Sequence, residues 1–259
     1  MTYLTKILDA HRAAAAEDAR PLEALVDAAR QASAPRGFAA ALTATEGMAV
    51  ISEVKRRSPS KGDLFPDLDP AALAADYAAG GASCLSVLTD REFFGGSPQD
   101  LAAAREAVQL PVIRKDFTVS ARDVADARIM GADAVLLIVA ALDDVELADF
   151  AALAAELSLD ALVETHDEAE VERALAVGAT LIGVNQRDLV TFEVDTARAA
   201  RVAGAIPAGA VAVAESGIKG PEDLPALRDA GFDAVLVGES LVRSGDPGAA
   251  VAAMRNGGR

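Results

Sequence analysis

Gly131-Ala132-Asp133-Ala134-Val135-Leu136-Leu137-Ile138-Val139-Ala140 is the stretch whose reading decides the fold. A glycine, at home in left-handed geometry, closes a helical segment. A short continuous apolar run follows at once. Such a run reads as a strand buried on both faces, as in a parallel sheet covered by helices. The junction recurs. Gly81-Ala82, Gly178-Ala179 and Gly231-Phe232-Asp233-Ala234 each stand before another apolar run, at a spacing of about fifty residues.

Working outward, candidate strands lie at Met48–Lys55, Ala82–Thr89, Pro111–Asp116, Ala134–Ala140, Leu159–Thr165, Leu181–Gln186, Ala210–Ser216 and Ala234–Glu239. Helical segments separate them, among them Pro70–Ala79, Ser97–Val108, Ser120–Met130, Asp143–Leu157 and Pro221–Ala230. Eight strands alternating with helices predict an α/β fold closed as a (β/α)8 TIM barrel. The four glycine junctions precede the even-numbered strands, two β/α units at a time. A doubly wound sheet is the alternative, and the periodicity favours closure. Residues 1–45 have helical character punctuated by Pro21, Pro35 and Gly37. They are expected to form a helical extension, some of it capping one barrel end. One barrel domain is expected over 1–259.

The bulk numbers agree. The chain is 52% hydrophobic with only 4% aromatic residues, so its core must be aliphatic. A net charge of −16 argues against nucleic-acid or anionic-membrane binding, which recruit Lys and Arg. The single cysteine, Cys84, lies in an apolar run, where core packing in a reducing cytoplasm suits it. No secretory signal is evident at the start. The longest apolar run, Ala134–Leu142, is about half the roughly 20 residues that span a bilayer.

Barrel enzymes place their chemistry where strands end and βα loops begin. Here the first strand ends in Glu53 and Lys55, and the third in Arg114, Lys115 and Asp116. The fifth ends in Glu164, the sixth in Asn185 and Arg187, and the seventh in Glu215 and Ser216. Polar residues from five strands on one rim predict an active site there. Lys55, Arg56, Arg57, Lys61, Arg114, Lys115, Arg187 and Lys219 concentrate basic charge at this rim of an acidic chain. That points to a small anionic ligand. The last two βα loops, Glu215-Ser216-Gly217-Ile218-Lys219-Gly220 and Val237-Gly238-Glu239-Ser240-Leu241, carry glycines where this fold binds phosphate. Glu239 is awkward in such a loop, and its side chain is expected to point away from the ligand.

These residues carry a resemblance that spans essentially the whole chain. Val50-Ile51-Ser52-Glu53-Val54-Lys55-Arg56-Arg57-Ser58-Pro59-Ser60 resembles the signature of the indole-3-glycerol phosphate synthase family. Leu88-Thr89-Asp90, Phe94-Gly95-Gly96-Ser97, Arg114-Lys115-Asp116-Phe117, Leu162-Val163-Glu164, Gly183-Val184-Asn185-Gln186-Arg187-Asp188-Leu189 and Glu215-Ser216-Gly217-Ile218 continue it in family order. Ser52 and Glu239 are minor departures. The resemblance implies a lyase of tryptophan biosynthesis. Its reaction closes 1-(2-carboxyphenylamino)-1-deoxyribulose 5-phosphate to indole-3-glycerol phosphate, with loss of carbon dioxide and water.

By the same resemblance, Lys115 is the expected general acid for ring closure, and Lys55 and Glu53 serve dehydration. Glu164 stabilises positive charge or shares the base role, Asn185 holds substrate, and Arg187 and Glu215 orient neighbouring groups. Phe94 and Leu189 pack the aromatic ring, with Ser58 near an anionic end. Ser216, Gly217, Gly238 and Ser240 bind phosphate. No step is redox, so no cofactor and no metal is expected, and His11 and His166 suggest no metal cluster. The expected partner is one small anion bearing phosphate and carboxylate, acted on by a monomer. Two rival readings remain open: a Schiff-base aldolase using Lys55 or Lys115, and a non-catalytic barrel that only binds a sugar phosphate.

Overall fold

A computed structural model describes residues 2–58 and 62–258. Eight parallel strands close into a barrel: β1 (Ala49–Val54), β2 (Cys84–Leu88), β3 (Val112–Lys115), β4 (Ala134–Ile138), β5 (Asp160–Thr165), β6 (Leu181–Asn185), β7 (Val211–Glu215) and β8 (Ala234–Val237). Each pairs with its neighbours in sequence, and β8 closes on β1 through the register Ala49 to Ala234 and Ile51 to Leu236. All eight expected strands are present, trimmed by one to three residues at their ends.

Helix starts follow local chemistry. The helix Pro70–Ala79 is capped by Asp69, which accepts the amides of Ala71 and Ala72, with proline at the first turn. Ser97, Ser120, Asp143 and Asp167 cap the helices Pro98–Ala107, Ala121–Ile129, Asp144–Glu156 and Glu168–Ala176 in the same way. The aspartates of the glycine junctions have a structural task too. Asp133, wholly buried, accepts the Val112 amide at 2.7 Å, the Arg36 amide at 2.7 Å and the Arg105 guanidinium at 2.5 Å. Asp233 accepts the Ala212 amide at 2.8 Å. Each carboxylate ties the start of its own strand to the strand before it.

Alternation along the strands divides the core in two. Ala134, Leu136 and Ile138 face the barrel interior with Ile51, Ile113, Leu162, Val213 and Leu236. Val135 and Leu137 join the layer between strands and helices. Cys84 is buried in the interior group, as a packing residue should be. Among the described residues, no helix is long and apolar enough to cross a membrane.

The N-terminal extension forms α1 (Tyr3–Glu17), α2 (Leu22–Gln31) and α3 (Phe38–Thr43). Its helices divide between the two ends of the barrel. Phe38 and Leu42 of α3 pack with Ala49, Ile51 and Cys84 at the strand starts. The helix α1 sits at the opposite mouth, where Arg12 donates to Glu146 at 2.6 Å and to the Ala141 carbonyl at 3.0 Å. Long-range hydrogen bonds, invisible to local pattern, decide where α1 docks.

Candidate active site

The interior alternation generates the site. Two residues beyond the interior Ile51, Ile113, Leu162, Gly183 and Val213 stand Glu53, Lys115, Glu164, Asn185 and Glu215. One more step along each strand therefore brings a polar side chain to the C-terminal mouth. There a cavity of about 730 Å³ opens. Its lining includes Glu53, Lys55, Ser58, Phe94, Lys115, Glu164, Asn185, Arg187, Leu189, Glu215, Ser216, Gly217, Gly238 and Ser240. Every site residue named from the sequence is brought into this one space.

Lys115 is the hub. Its ammonium lies 3.1 Å from Glu164 Oε2 and 3.4 Å from Glu215 Oε2. Burial would strip its proton, but Glu164, Glu215 and Glu53 outweigh that and hold it charged. The two carboxylates differ. Burial raises the pKa of Glu164, yet the charges of Lys115 and His166 and the 3.1 Å hydrogen bond from Asn185 Nδ2 bring it below the usual range. Glu215 is pushed up to about 8, by burial and by the neighbouring Glu164 charge, against the pull of Lys115. Near neutrality this pair thus comprises one carboxylate and one carboxylic acid. Environments that push two acids apart assign them different tasks.

Glu53 pairs directly with Lys55. Room for the acids comes from glycines. A Cβ at Gly183 would lie 2.2 Å from Glu215 Oε1, and one at Gly238 would lie 2.5 Å from Glu53 Oε1. On the far side, Ser216 and Gly217 have φ of 65° and 76°. A left-handed serine is a costly conformation that persists only where the surrounding structure holds it. Gln186 Nε2 holds this turn through the Ser216 carbonyl at 2.8 Å, and Ser240 Oγ donates to the Ile218 carbonyl at 3.2 Å. Phe94 and Phe117 line one wall, with ring centroids 6.4 Å apart.

The basic rim needs correction. Lys55, Lys115, Arg187 and Lys219 line the cavity, and so does Arg243, which the sequence reading missed. Arg114 points to the other face of β3, as period two requires, and donates to Asp116 at 3.1 Å and to the Asp123 carbonyl at 2.8 Å. Arg56 is engaged by Asp100 at 3.1 Å, and Arg57 lies 3.7 Å from Asp63. Lys61 falls outside the described residues. Glu239 is among the residues that line the cavity, and its carboxylate lies 3.7 Å from Arg243.

His11 was assigned no role, but the fold brings it beside two rim acids. Its Nε2 lies 3.0 Å from Asp90 Oδ2 and 3.8 Å from Asp116 Oδ1. Ligand atoms of the three lie within 4.8 Å of one another. The same acids also hold the surrounding loops: Asp90 Oδ1 accepts the amides of Phe93 at 2.6 Å and Phe94 at 3.0 Å, Asp116 Oδ2 accepts from Thr89 and Arg114, and Asp116 Oδ1 accepts the Phe117 amide at 2.9 Å. The group reads as a clasp of α1 onto the mouth. Only its long-range partners would have revealed it.

Comparison with known proteins gives an independent finding, the family. The model of the family described as indole-3-glycerol phosphate synthase matches residues 4–254. The chain belongs to the indole-3-glycerol phosphate synthase family. A relative from Streptomyces griseus is 53% identical over 254 residues, covering 97% of this chain and 94% of its own. One from Laribacter hongkongensis is 51% identical over 243 residues, 92% of each chain. Both are named indole-3-glycerol phosphate synthase, and the family comprises carboxy-lyases of tryptophan biosynthesis. Among solved structures, thiamine phosphate pyrophosphorylase from Pyrococcus furiosus superposes with a TM-score of 0.61 at 15% identity, over 81% of this chain and 94% of that one. N-acetylmannosamine-6-phosphate 2-epimerase from Clostridium perfringens gives 0.61 at 14%, over 79% and 91%. At such identities these two likenesses speak for the barrel alone.

Proposed function

We propose that this family member closes 1-(2-carboxyphenylamino)-1-deoxyribulose 5-phosphate to indole-3-glycerol phosphate with the residues named above. The observation that carries the reading is Lys115, a charged ammonium 3.1 and 3.4 Å from two buried carboxyl groups at the floor of the cavity. As the aromatic carbon bearing the carboxylate attacks the ketose carbonyl, negative charge grows on the carbonyl oxygen. Lys115 donates its proton there, so the oxygen becomes a hydroxyl. The carbon–carboxylate bond then breaks, carbon dioxide leaves, and its electron pair restores the aromatic ring.

Dehydration follows. The ring nitrogen pushes the hydroxyl out as water while positive charge spreads over nitrogen and carbon. Glu164, ionised and oriented by Asn185, faces that charge. Lys55 supplies the proton for the departing hydroxyl, and Glu53, paired with it, takes up the last proton. Glu215, a neutral acid near pH 7, holds Lys115 in place without cancelling its charge. The aromatic ring lies against Phe94, Phe117 and Leu189. The phosphate sits at the amides around Ser216, Gly217, Gly238 and Ser240, with Lys219 nearby. Ser58 and Arg187 meet the remaining polar groups. All of these line one space.

Incubation with the carboxyphenylamino sugar phosphate should produce indole fluorescence. No signal at micromolar enzyme would overturn the proposal. Borohydride trapping of a substrate adduct on Lys55 or Lys115 would favour a Schiff-base aldolase instead.

A further inference from the structure

The mechanism above leaves one buried titratable group unused. His166 follows β5 directly, and its side chain is 12% exposed. Its Nδ1 lies 3.0 Å from Glu170 Oε2, and the His166 backbone amide donates to the same oxygen at 2.8 Å. A carboxylate only accepts, so Nδ1 carries a hydrogen. The other nitrogen, Nε2, is buried with no hydrogen-bond partner among the described residues. It points at the active site, 3.9 Å from Glu164 Oε1. A neutral imidazole would turn a lone pair toward an ionised carboxylate. An imidazolium turns an N–H toward it.

We propose that His166 is a positioning residue for Glu164, an imidazolium that keeps this carboxylate ionised while Lys115 gives up its proton. The inference rests on the function proposed above. Glu164 is 1% exposed, with Lys115 at 3.1 Å, the neutral amide of Asn185 at 3.1 Å and the neutral acid Glu215 beside it, so among the described residues Lys115 is its one cationic hydrogen-bond partner. When the Lys115 proton passes to the ketose oxygen, its ammonium becomes an amine. Glu164 would then be a dry carboxylate deprived of its ammonium partner, in the interval before positive charge grows on the substrate. The His166 charge remains. At 3.9 Å the contact is longer than a hydrogen bond, and a shift of about 1 Å closes it. His166 neither gains nor loses a proton in turnover.

The charged groups around His166 fit this role. Burial works against its proton, but Glu170, at the start of the helix Glu168–Ala176, and Glu164 on β5 outweigh burial. Arg198, at the start of the helix Arg198–Val202, opposes them, and the net shift is upward.

The test uses the full chain with labelled histidines, of which it has two. The His166 resonance, assigned by its loss in His166→Gln, should remain that of an imidazolium above pH 6.5, and Glu164→Gln should lower its midpoint by about one unit. His166→Gln should cut kcat about tenfold, leave KM within about twofold, and move the acid limb of the kcat profile up by about one unit. Should that variant fail to fold, Glu170→Gln keeps the imidazole and must lower both the His166 midpoint and kcat above neutrality. A wild-type His166 midpoint below 6.5, or superimposable pH profiles, would overturn the inference. A wild-type chain that fails to turn over the substrate would sink the proposed function, and with it any catalytic role for His166. The titration would still decide whether His166 and Glu164 share a charge contact.

Discussion

Gly238→Ala isolates one physical idea, that a missing side chain makes room for a catalytic one. Gly238 has φ of −126°, outside the left-handed region that favours glycine, so left-handed strain is not at issue. Space is. The added Cβ would lie 2.5 Å from Glu53 Oε1, 3.1 Å from its Cβ and 3.2 Å from its Cδ. Ordinary contact begins at 3.4 Å, so the carboxylate oxygen must retreat by about 0.9 Å. The backbone of β1 cannot follow, because β8 and β2 flank it and the Tyr77 hydroxyl grips the Glu53 carbonyl at 3.0 Å. The side chain alone yields, and its pairing with Lys55 is disturbed. Overpacking of this kind costs about 1–3 kcal/mol of stability. A displacement near 1 Å in a reacting group costs on the order of 100-fold in rate. Urea unfolding and steady-state formation of indole-3-glycerol phosphate measure the two effects. In a Glu53→Ala background only the 3.1 Å contact to Cβ remains, so the stability cost of Gly238→Ala should fall by at least half. Turnover within threefold of wild type with an unchanged unfolding midpoint would refute the reasoning. So would an undiminished cost in the Glu53→Ala background.

Three further outcomes follow from the same contacts. Lys115→Ala should abolish turnover while binding of a phosphate-bearing product analogue, measured by calorimetry, weakens less than about tenfold, roughly 1.4 kcal/mol; an equal collapse of binding would make Lys115 a binding residue. The clasp of α1 should depend on pH. Burial disfavours the His11 charge, but Asp90 and Asp116 raise its pKa above 6.5, so its stabilisation is complete below that value and fades as pH rises through the native one. Burial likewise works against the Asp90 charge, but His11 and two amides bring its pKa below 3.8, so its share is lost as pH falls through the native value. The clasp is therefore strongest between these ordinary values, and His11→Asn should flatten the loss of stability that denaturant unfolding shows between pH 6 and pH 9. Asp133→Ala strands the Arg105 guanidinium and two amides, and should cost about 3–5 kcal/mol with kcat of the folded enzyme unchanged. A large drop in kcat would show that Asp133 reaches the site.

The barrel was legible because its signals are local. An apolar run of about five residues can bury both faces only as an interior strand, and capping residues such as Asp69 and Asp143 mark helix starts by their own hydrogen bonds. Lys115 against Arg114 was equally decidable, since adjacent strand residues face opposite ways, yet the two were grouped as one basic rim. The docking of α1 was not decidable. Its key contact joins His11 to Asp90, 79 residues apart, through a hydrogen bond that no periodicity announces. Gly238 was read as a place where backbone approaches phosphate. That a neighbouring strand fills the same vacancy with Glu53 is a packing fact, visible only once β8 lies beside β1.

Period two also explains why the acids at the mouth cannot behave alike. Lys115 lies within 3.4 Å of both Glu164 and Glu215, and one ammonium cannot hold two dry carboxylates ionised side by side. Something else must decide which acid keeps the proton. Asn185 donates to Glu164, and His166 brings a second positive charge to it, so ionisation falls there. Glu215 faces Glu164 itself and a space cleared by Gly183, where a proton shared with its neighbour costs less than a second charge. The division of labour therefore resides less in the two glutamates, which are chemically identical, than in the residues that flank them. Sequence motifs name the acids, and their neighbours on β6 and just past β5 assign the proton.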